Sequence, residues 1–416
     1  MNSPNQWGRF FTKARPLTSS GLQESTKPRS LNWPIVFFLI GLPVGVILSL
    51  LWVPIYTETL LMVPLWMIGR TLSITAGYHR LWSHKSYTAS SSLKVAMAII
   101  GAGAGQGSII FWCRGHRAHH RYVDTDDDPY SIKKGFFHAH IGWMLYESEG
   151  IPYGVPINRN VDISDLKSDP IVRWQHRYYI PLFLLVGYAA PTLASGLLYG
   201  DYLGGFLYTG ILAVALAQQG TFCVNSVAHW AGSQPFASEK SPRDSYLTGI
   251  FTLGEGYHNF HHEFPIDYRN GVRWYDADLT KWLIWTLSQL GLASKLRRFP
   301  QNEIEKGRIQ RKWEILNAEG KTVSWGIPSE ELPTMEWEEF KQQARTGCNF
   351  VVIRGVVHDV SAFVSEHPGG TALITGAIGK DATEMFEGGV YAHSGAASNL
   401  LDNMRVARII DTVKLI

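Results

Sequence analysis

Three short histidine strings dominate the chemistry available to this chain. They are His79-Arg-Leu-Trp-Ser-His84, His116-Arg-Ala-His119-His120 and His258-Asn-Phe-His261-His262. With His229 they account for nine of the 15 histidines. On an α-helix, positions i, i+3 and i+4 fall within about 100° of one another, so the imidazoles of each HxxHH string share a side. They can present nitrogens to one or two metals. His79 and His84 are five apart, about 140° around an α-helix. Either they reach different metals or the helix ends between them. Asn225 and His229 are i, i+4 and can face one site. Nine neutral nitrogen donors can hold two divalent first-row metals, and imidazole suits Zn, Cu, Fe and Ni. Structural zinc needs only four ligands, usually with Cys, and the chain has three Cys. The metalloprotease pattern HExxH is absent: His262-Glu263 runs into Phe264-Pro265-Ile266, and Pro265 would break that helix. His138, His140 and His176 lack the spacing and read as core or supporting residues.

The elements that must position these histidines are apolar. The chain has 416 residues, Lys+Arg 38 against Asp+Glu 35, and net charge +3. That balance excludes nucleic-acid binding by bulk positive charge. A 45% hydrophobic fraction excludes a disordered chain, and so few cysteines exclude a disulfide scaffold. The mean hydropathy of −0.05 hides segregation. Trp33–Val53 is an uncharged run of 21 residues, long enough for a hydrocarbon core of about 30 Å. Thr59–Thr75 carries only Arg70, and the stretch from Tyr178 to Ala228 carries only Asp201 and splits there into Ile180–Tyr199 and Gly205–Ala228. These four runs read as transmembrane helices in two hairpins. Leu93–Ile110 is also apolar, but Gly101, Gly103, Gly105 and Gly107 make it a re-entrant or protein-buried segment.

Orientation follows from Lys/Arg placement. Residues 1–30 hold Arg9, Lys13, Arg15, Lys27 and Arg29 against Glu24, while the two hairpin loops hold no Lys or Arg. Residues 1–30 read as a flexible cytosolic tail without the apolar core of a signal peptide. Segments 79–177 and 229–416 belong on the same side. An even number of crossings separates His79–His120 from His229–His262, so all nine histidines share one face of the membrane. Residues 31–298 form the membrane unit. Residues 299–327 mix Lys306, Arg308, Arg311 and Lys312 with Glu303, Glu305 and Glu314, as a charged linker suited to anionic headgroups. Residues 328–416 form a compact α+β domain with β-rich runs at Phe350–Ile353 and Val356-Val357.

That last domain carries Glu366-His367-Pro-Gly369-Gly370, then Asp381-Ala-Thr383-Glu, then His393 26 residues after His367. Two histidines on opposite helices can ligate a haem iron from both faces, and an iron so filled passes electrons rather than binding O₂. Phe363 and Phe386 suit the apolar walls of such a pocket. His358 suits packing near a strand end.

Gly77-Tyr78-His79-Arg80-Leu81-Trp82-Ser83-His84, Gly115-His116-Arg117-Ala118-His119-His120, Asn225-Ser226-Val227-Ala228-His229 and Gly254-Glu255-Gly256-Tyr257-His258-Asn259-Phe260-His261-His262-Glu263-Phe264-Pro265 together resemble the membrane acyl-CoA Δ9 desaturases of the stearoyl-CoA type. Residues 328–412 resemble cytochrome b5, a fusion similar to the fungal branch of that family. The resemblance implies a mainly α, integral membrane fold: four transmembrane helices under a helical cytosolic cap, plus the small α+β haem domain. It implies two irons held by His79, His84, His116, His119, His120, His229, His258, His261 and His262, with Asn225 acting through a water. It implies haem b on His367 and His393. Its substrates would be saturated acyl-CoA and O₂, its electron donor cytochrome b5 reductase using NADH or NADPH, and its location the endoplasmic reticulum membrane with both termini cytosolic. Arg114 would meet the CoA phosphates, with Lys133 and Lys134 as further cations. Trp112, Trp143, Trp230 and Phe260 flank the histidines and could line a dry acyl tunnel. Animal relatives carry basic residues where this chain has Tyr146-Glu147-Ser148-Glu149, and an acid where it has Gly115.

Removing hydrogen from an unactivated CH₂ needs a strong oxidant, which a reduced iron pair with O₂ could supply. Each turnover then needs two external electrons, because the substrate supplies the other two. The haem domain would deliver them. Gly101-Ala-Gly103-Ala-Gly105-Gln-Gly107 follows no strand and suits close packing rather than dinucleotide binding. The same residues admit two other readings, a lipid hydroxylase with the same irons and a non-catalytic, haem-anchored electron carrier.

Overall fold

The computed structural model describes residues 30–146, 161–389 and 391–410. The expected N-terminal tail, with Glu147 and Glu149, lies outside them. The chain divides into two compact units, Met1–Arg311 and Lys312–Ile416.

In the first unit, α1 (Trp33–Ser49) is followed by α2 (Thr57–Ser83) and α3 (Ser91–Ala102). Then come α4 (Ile109–Tyr122) and α5 (Pro170–Arg177), and the long α6 (Tyr179–Tyr199) and α7 (Tyr202–Trp230). Among the described residues, α2, α6 and α7 are long and apolar enough to cross a membrane. The first apolar run forms 17 helical residues rather than the 21 expected. At 1.5 Å per residue that is about 25 Å. Beyond Ser49 the backbone tightens into i,i+3 turns, Leu50 N–H to Ile47 O at 3.3 Å and Leu51 N–H to Leu48 O at 3.1 Å, ahead of Pro54. Helix α2 runs past its expected end at Thr75 and carries His79 on its last turns. The α6/α7 break is made by Gly200 in the left-handed region (φ 74°) and by Asp201, whose carboxylate caps α7.

The glycine-rich stretch is a buried turn rather than one continuous segment. Helix α3 ends at Ala102, and α4 begins at Ile109 under the Ser108 cap. A Cβ at Gly101 would lie 2.6 Å from the Tyr78 ring, and one at Gly103 would lie 2.7 Å from Val186. Close helix approach therefore explains both residues.

Wide π turns recur where the membrane helices pack, at Ser73–Ser83 in α2, Leu184–Ala189 in α6 and Gly205–Leu212 in α7. Such turns misalign backbone carbonyls that no water can reach inside a bilayer. Arg70, fully buried, collects them. Its guanidinium donates to Val186 O (3.1 Å), Gly187 O (2.8 Å) and Thr209 O (3.3 Å). One side chain of α2 thus ties α6 and α7 together.

Beyond the membrane helices, β1 (Thr88–Ala89) pairs antiparallel with β2 (Ala293–Ser294). That pairing closes a cap containing α8 (His258–Glu263) and α9 (Leu279–Gln289). Its core joins Ile74, Tyr78, Trp82, Met97, Ile109, Leu166 and Ile284.

The second unit holds a four-stranded sheet in the order β3-β6-β5-β4. Its strands are β3 (Thr334–Glu336), β4 (Phe350–Ile353), β5 (Val356–Asp359) and β6 (Arg405–Ile410). Strands β3 and β6 are parallel; the other pairs are antiparallel. The β4–β5 hairpin turns on Arg354 and Gly355, both at positive φ (53° and 72°), which matches the strand twist. One sheet face packs Val352, Val357 and Ala407 on Phe340 of α10 (Trp337–Arg345). The other packs Val351 and Ile353 with Val360, Ala377 and Ala382.

If Arg70 satisfies carbonyls freed by the π turns, Arg70→Leu should cost about 3 kcal/mol or more of stability. The check is the thermal midpoint and yield of folded protein in detergent. An unchanged midpoint would show that those carbonyls do not need it.

Candidate functional site

Helices α2, α4, α7 and α8 converge at one end of the first unit, and the nine histidines meet there in two groups. His79, His84, His116, His120 and His261 form one; His119, His229, His258 and His262 form the other. Within each group the ligand atoms lie within 4.8 Å of one another. Each HxxHH string divides between them. His116 and His120 serve the first group while His119 serves the second; His258 and His262 serve the second while His261 serves the first. His79 and His84 belong to the same group, and of the two alternatives that their spacing left open the second holds, since the helix ends between them. The α-helical angle does not apply, because α2 ends in a π turn with the His84 N–H on the His79 carbonyl at 3.1 Å, and the helix stops at Ser83. At the wider winding, i and i+5 are only about 50° apart.

The converging atoms are Nε2. Nε2 separations are 3.0 Å for His79–His261, 3.0 Å for His120–His261 and 2.7 Å for His84–His116. In the second group they are 3.0 Å for His229–His258 and 3.1 Å for His258–His262. The buried His119 Nε2 has no hydrogen-bond partner among the described residues. Burial, and then the neighbouring imidazoles, hold His116, His120, His261 and His262 well below the usual histidine range. These rings are therefore neutral at physiological pH, with lone pairs available. An all-imidazole donor set of this kind fits a late first-row divalent metal, and five donors in one group exceed the needs of structural zinc.

Three contacts to Nδ1 aim the Nε2 atoms inward. Glu255 Oε2 lies 2.8 Å from His79 Nδ1, Asp128 Oδ1 lies 2.9 Å from His119 Nδ1, and Ser241 Oγ lies 2.7 Å from His229 Nδ1. Metal-binding histidines are characteristically fixed this way. Burial would raise the Glu255 carboxyl, but Arg80 and His79 outweigh it and hold the group near 2. Arg80 is itself buried, with Glu255 Oε1 at 2.8 Å and Asp278 Oδ1 at 3.0 Å, and it donates to Tyr268 O at 2.8 Å. Sequence spacing missed Glu255, Asp128 and Ser241. Glu255 stands only three residues before His258, but Ser241 reaches its histidine by chain folding alone.

A cavity of about 590 Å³ touches both groups, through His79 and His116 on one side and His119 and His258 on the other. Asn225 also lines it, as do Trp112 and Trp143. The Trp112 ring stacks on His116, with centroids 5.0 Å apart. Most of the remaining wall is apolar, with Ile35, Phe38, Leu39, Ile74, Phe183 and Phe222. One polar set crosses it: Trp112 Nε1 donates to Gln106 Oε1 (3.1 Å), and Gln106 Nε2 donates to Thr221 Oγ1 (2.9 Å). Two expected wall residues are elsewhere. Trp230 is 67% exposed, and Phe260 packs in a separate core with Phe236, Phe264 and Ile304. On α8, Phe260 falls on the face opposite the donors. Arg114 is half-buried and does not line the cavity, whereas His176 and Arg177 do. His140 bonds Ser226 and Gln219, and His176 bonds Ser108.

In the second unit, His367 and His393 face each other with ring centroids 6.3 Å apart. Their Nδ1 atoms lie on Gly370 O (3.2 Å) and Phe386 O (3.0 Å), which leaves both Nε2 atoms free for a metal between the rings. Neither histidine is on a helix, contrary to expectation. His367 sits in the turn before α11 (Thr371–Ala377), and His393 sits just before the Ser394 cap of α12 (Gly395–Asp402). Gly370 (φ 94°) is the N-cap at which α11 starts, and a Cβ at Gly369 would lie 2.8 Å from the His367 ring. Phe386 stacks on His393 at 4.3 Å, and Phe363 meets His367 edge-on at 5.9 Å. Leu373, Met385 and Tyr391 leave large apolar side chains exposed in this unit. His358 is buried in β5, pushed down to about 4 by burial and Arg405.

Comparison with known proteins agrees with this arrangement. The family described as fatty acid desaturase matches residues 57–293, more than half of the chain, and the cytochrome b5-like haem/steroid binding domain matches residues 336–410. A "Probable acyl-CoA desaturase" of Schizosaccharomyces pombe is 48% identical over 379 residues, covering 91% of this chain and 78% of the relative. "Acyl-CoA desaturase 1" of Saccharomyces cerevisiae is 45% identical over 381 residues, covering 91% and 74%. "Stearoyl-CoA desaturase 5" of Bos taurus is 36% identical over 279 residues, covering 67% and 83%. The chain therefore belongs to the fatty acid desaturase family, as a multi-pass membrane member with a cytochrome b5-like domain on the same polypeptide.

Proposed function

We propose that this chain is an acyl-CoA Δ9 desaturase that places a cis double bond in saturated acyl-CoA of the palmitoyl and stearoyl class. One observation carries the reading: a single, mostly apolar cavity borders both histidine groups. Its volume of about 590 Å³ lies within the range of small-ligand sites, about 300–1,000 Å³. The two groups hold two irons through the nine histidines, with Asn225 contributing through a water. When bound, the iron pair supplies O₂ activation and the power to oxidise a CH₂ group. The protein supplies the rest. Glu255, Asp128 and Ser241 fix the ligand tautomers. The apolar wall excludes water from the acyl chain. Trp112, held by Gln106, lies flat on His116 and confines the chain beside the first group. Arg114, with Lys133 and Lys134, meets the CoA phosphates outside.

The reaction consumes one O₂, two electrons and two protons with the substrate, and yields the alkene and two waters. His367 and His393 would hold haem b, which would supply one-electron transfer from cytochrome b5 reductase. The reading includes four membrane crossings, with α1 as the shortest, in the endoplasmic reticulum, and both termini in the cytosol. It assigns residues 1–30 to a tail, 31–298 to the desaturase domain, 299–327 to a linker and 328–416 to the haem domain.

Fatty-acid profiling in cells auxotrophic for unsaturated fatty acids tests the reaction. The chain should restore growth with Δ9 monoenes; a hydroxy fatty acid as main product would overturn the reading. His119→Ala should abolish the unsaturated product while the haem spectrum persists, and His367→Ala should lose the haem and self-sufficient electron supply. A working His119→Ala variant would instead favour a pure electron carrier.

Acid should also destabilise the metal-free chain. His116, His120, His261 and His262 lie below their ordinary 6.5 in the fold, so the unfolded state binds more protons below that value. Their contribution is complete above pH 6.5 and is lost as pH falls. The melting midpoint of metal-stripped protein should drop between about pH 7 and pH 5; a flat profile would contradict the burial of neutral imidazoles.

A further inference from the structure

The two histidines of the second group that leave different helices share one support. Asp128 Oδ1 accepts from His119 Nδ1 at 2.9 Å, and its Oδ2 accepts the Asp124 N–H at 3.1 Å. Asp124, at φ 65°, turns its carboxylate to Ser241. Oδ1 lies 2.6 Å from Ser241 Oγ, and Oδ2 lies 2.6 Å from Ser241 N. Ser241 Oγ then meets His229 Nδ1 at 2.7 Å. The donor directions are fixed by chemistry. An ionised carboxylate only accepts, so the Ser241 hydroxyl proton points at Asp124. The Ser241 oxygen must therefore accept from His229 Nδ1–H. That tautomer leaves the lone pair on Nε2, the atom facing His258 Nε2 at 3.0 Å.

We propose that Asp124, acting through Ser241, is a positioning residue that locks His229 in its metal-binding tautomer. The loop Asp124–Asp128 thereby sets His119 and His229 together. This rests on the reading that the second group holds iron. The five-histidine group has its own support in Glu255 and does not depend on this loop. Asp124→Asn has nearly the same shape but reverses the relay. Its amide oxygen would keep the Ser241 N–H, so its NH₂ would donate to Ser241 Oγ. The serine proton would then point at His229 Nδ1 and favour the tautomer with hydrogen on Nε2, which cannot bind a metal.

The test is non-haem iron per chain, with the rate of its release to a ferrous chelator, in full-length protein purified in detergent. Wild type should hold two irons. Asp124→Asn and Ser241→Ala should each weaken one of them by about 10- to 100-fold, so that the count falls towards one and a fast-releasing phase appears. Ser241→Thr keeps the hydroxyl and should release like wild type. Folded Asp124→Asn with two irons and wild-type release would overturn the proposal. If Asp124→Asn does not fold, the serine pair decides: equal retention by the Ala and Thr variants also overturns it. A wild-type chain that binds no non-haem iron would instead fail the functional reading itself, which the variants then inherit.

Discussion

The whole membrane unit is organised around buried, uncharged imidazoles whose Nε2 atoms face each other at hydrogen-bond distance. Several neutral lone pairs directed at one point in a dry interior are not a stable end in themselves, because each is a desolvated acceptor with too few donors. A cation at the centre of each group would resolve the conflict. The protein fixes the geometry from outside, through carboxylates and a hydroxyl on the far ring nitrogens. Those carboxylates are expensive to bury alone, so Arg80 is placed between Glu255 and Asp278. The site is thus layered, with neutral donors inside, anions around them, and a cation behind one of those anions.

The membrane helices serve this layering. Helix α2 carries His79 into the cap, and α7 carries Asn225 and His229. The π winding of α2 brings His79 and His84 to one centre, and similar turns in α6 and α7 bring those helices close. Arg70 takes up carbonyls at those turns. Its position in an apolar run is thereby explained by the backbone it satisfies, with no acidic partner among the described residues. The cavity lies where these helices meet the cap, so one face of α4 can present Trp112 to the cavity and His116 to a metal.

Much of this was legible in the sequence because it repeats at short range. The HxxHH strings, the uncharged runs and the His-Pro-Gly-Gly turn each carry their geometry in a few neighbouring residues. What spacing did not reveal has definite causes. The pairing of His79 with His84 depends on π rather than α winding, a choice imposed by packing. Glu255, Asp128 and Ser241 act across loops whose paths no periodicity encodes. Trp230 and Phe260 are adjacent to metal-binding strings yet point elsewhere, because neighbours on a helix face different sides. His367 and His393 sit just before helices that start at the Gly370 and Ser394 caps. The first apolar run is shorter as a helix than as a string, because hydropathy does not register the tight turns into which its last residues fold ahead of Pro54.

Two separate histidine-rich sites lie beside one apolar cavity. Iron K-edge X-ray absorption on the haem-free His367→Ala variant tests this arrangement most directly. About two non-haem irons per chain are expected, coordinated by histidine nitrogens at about 2.1 Å, with an oxygen donor contributing at only one of them. A sulfur shell, an oxygen-dominated shell, or a single iron per chain would contradict it.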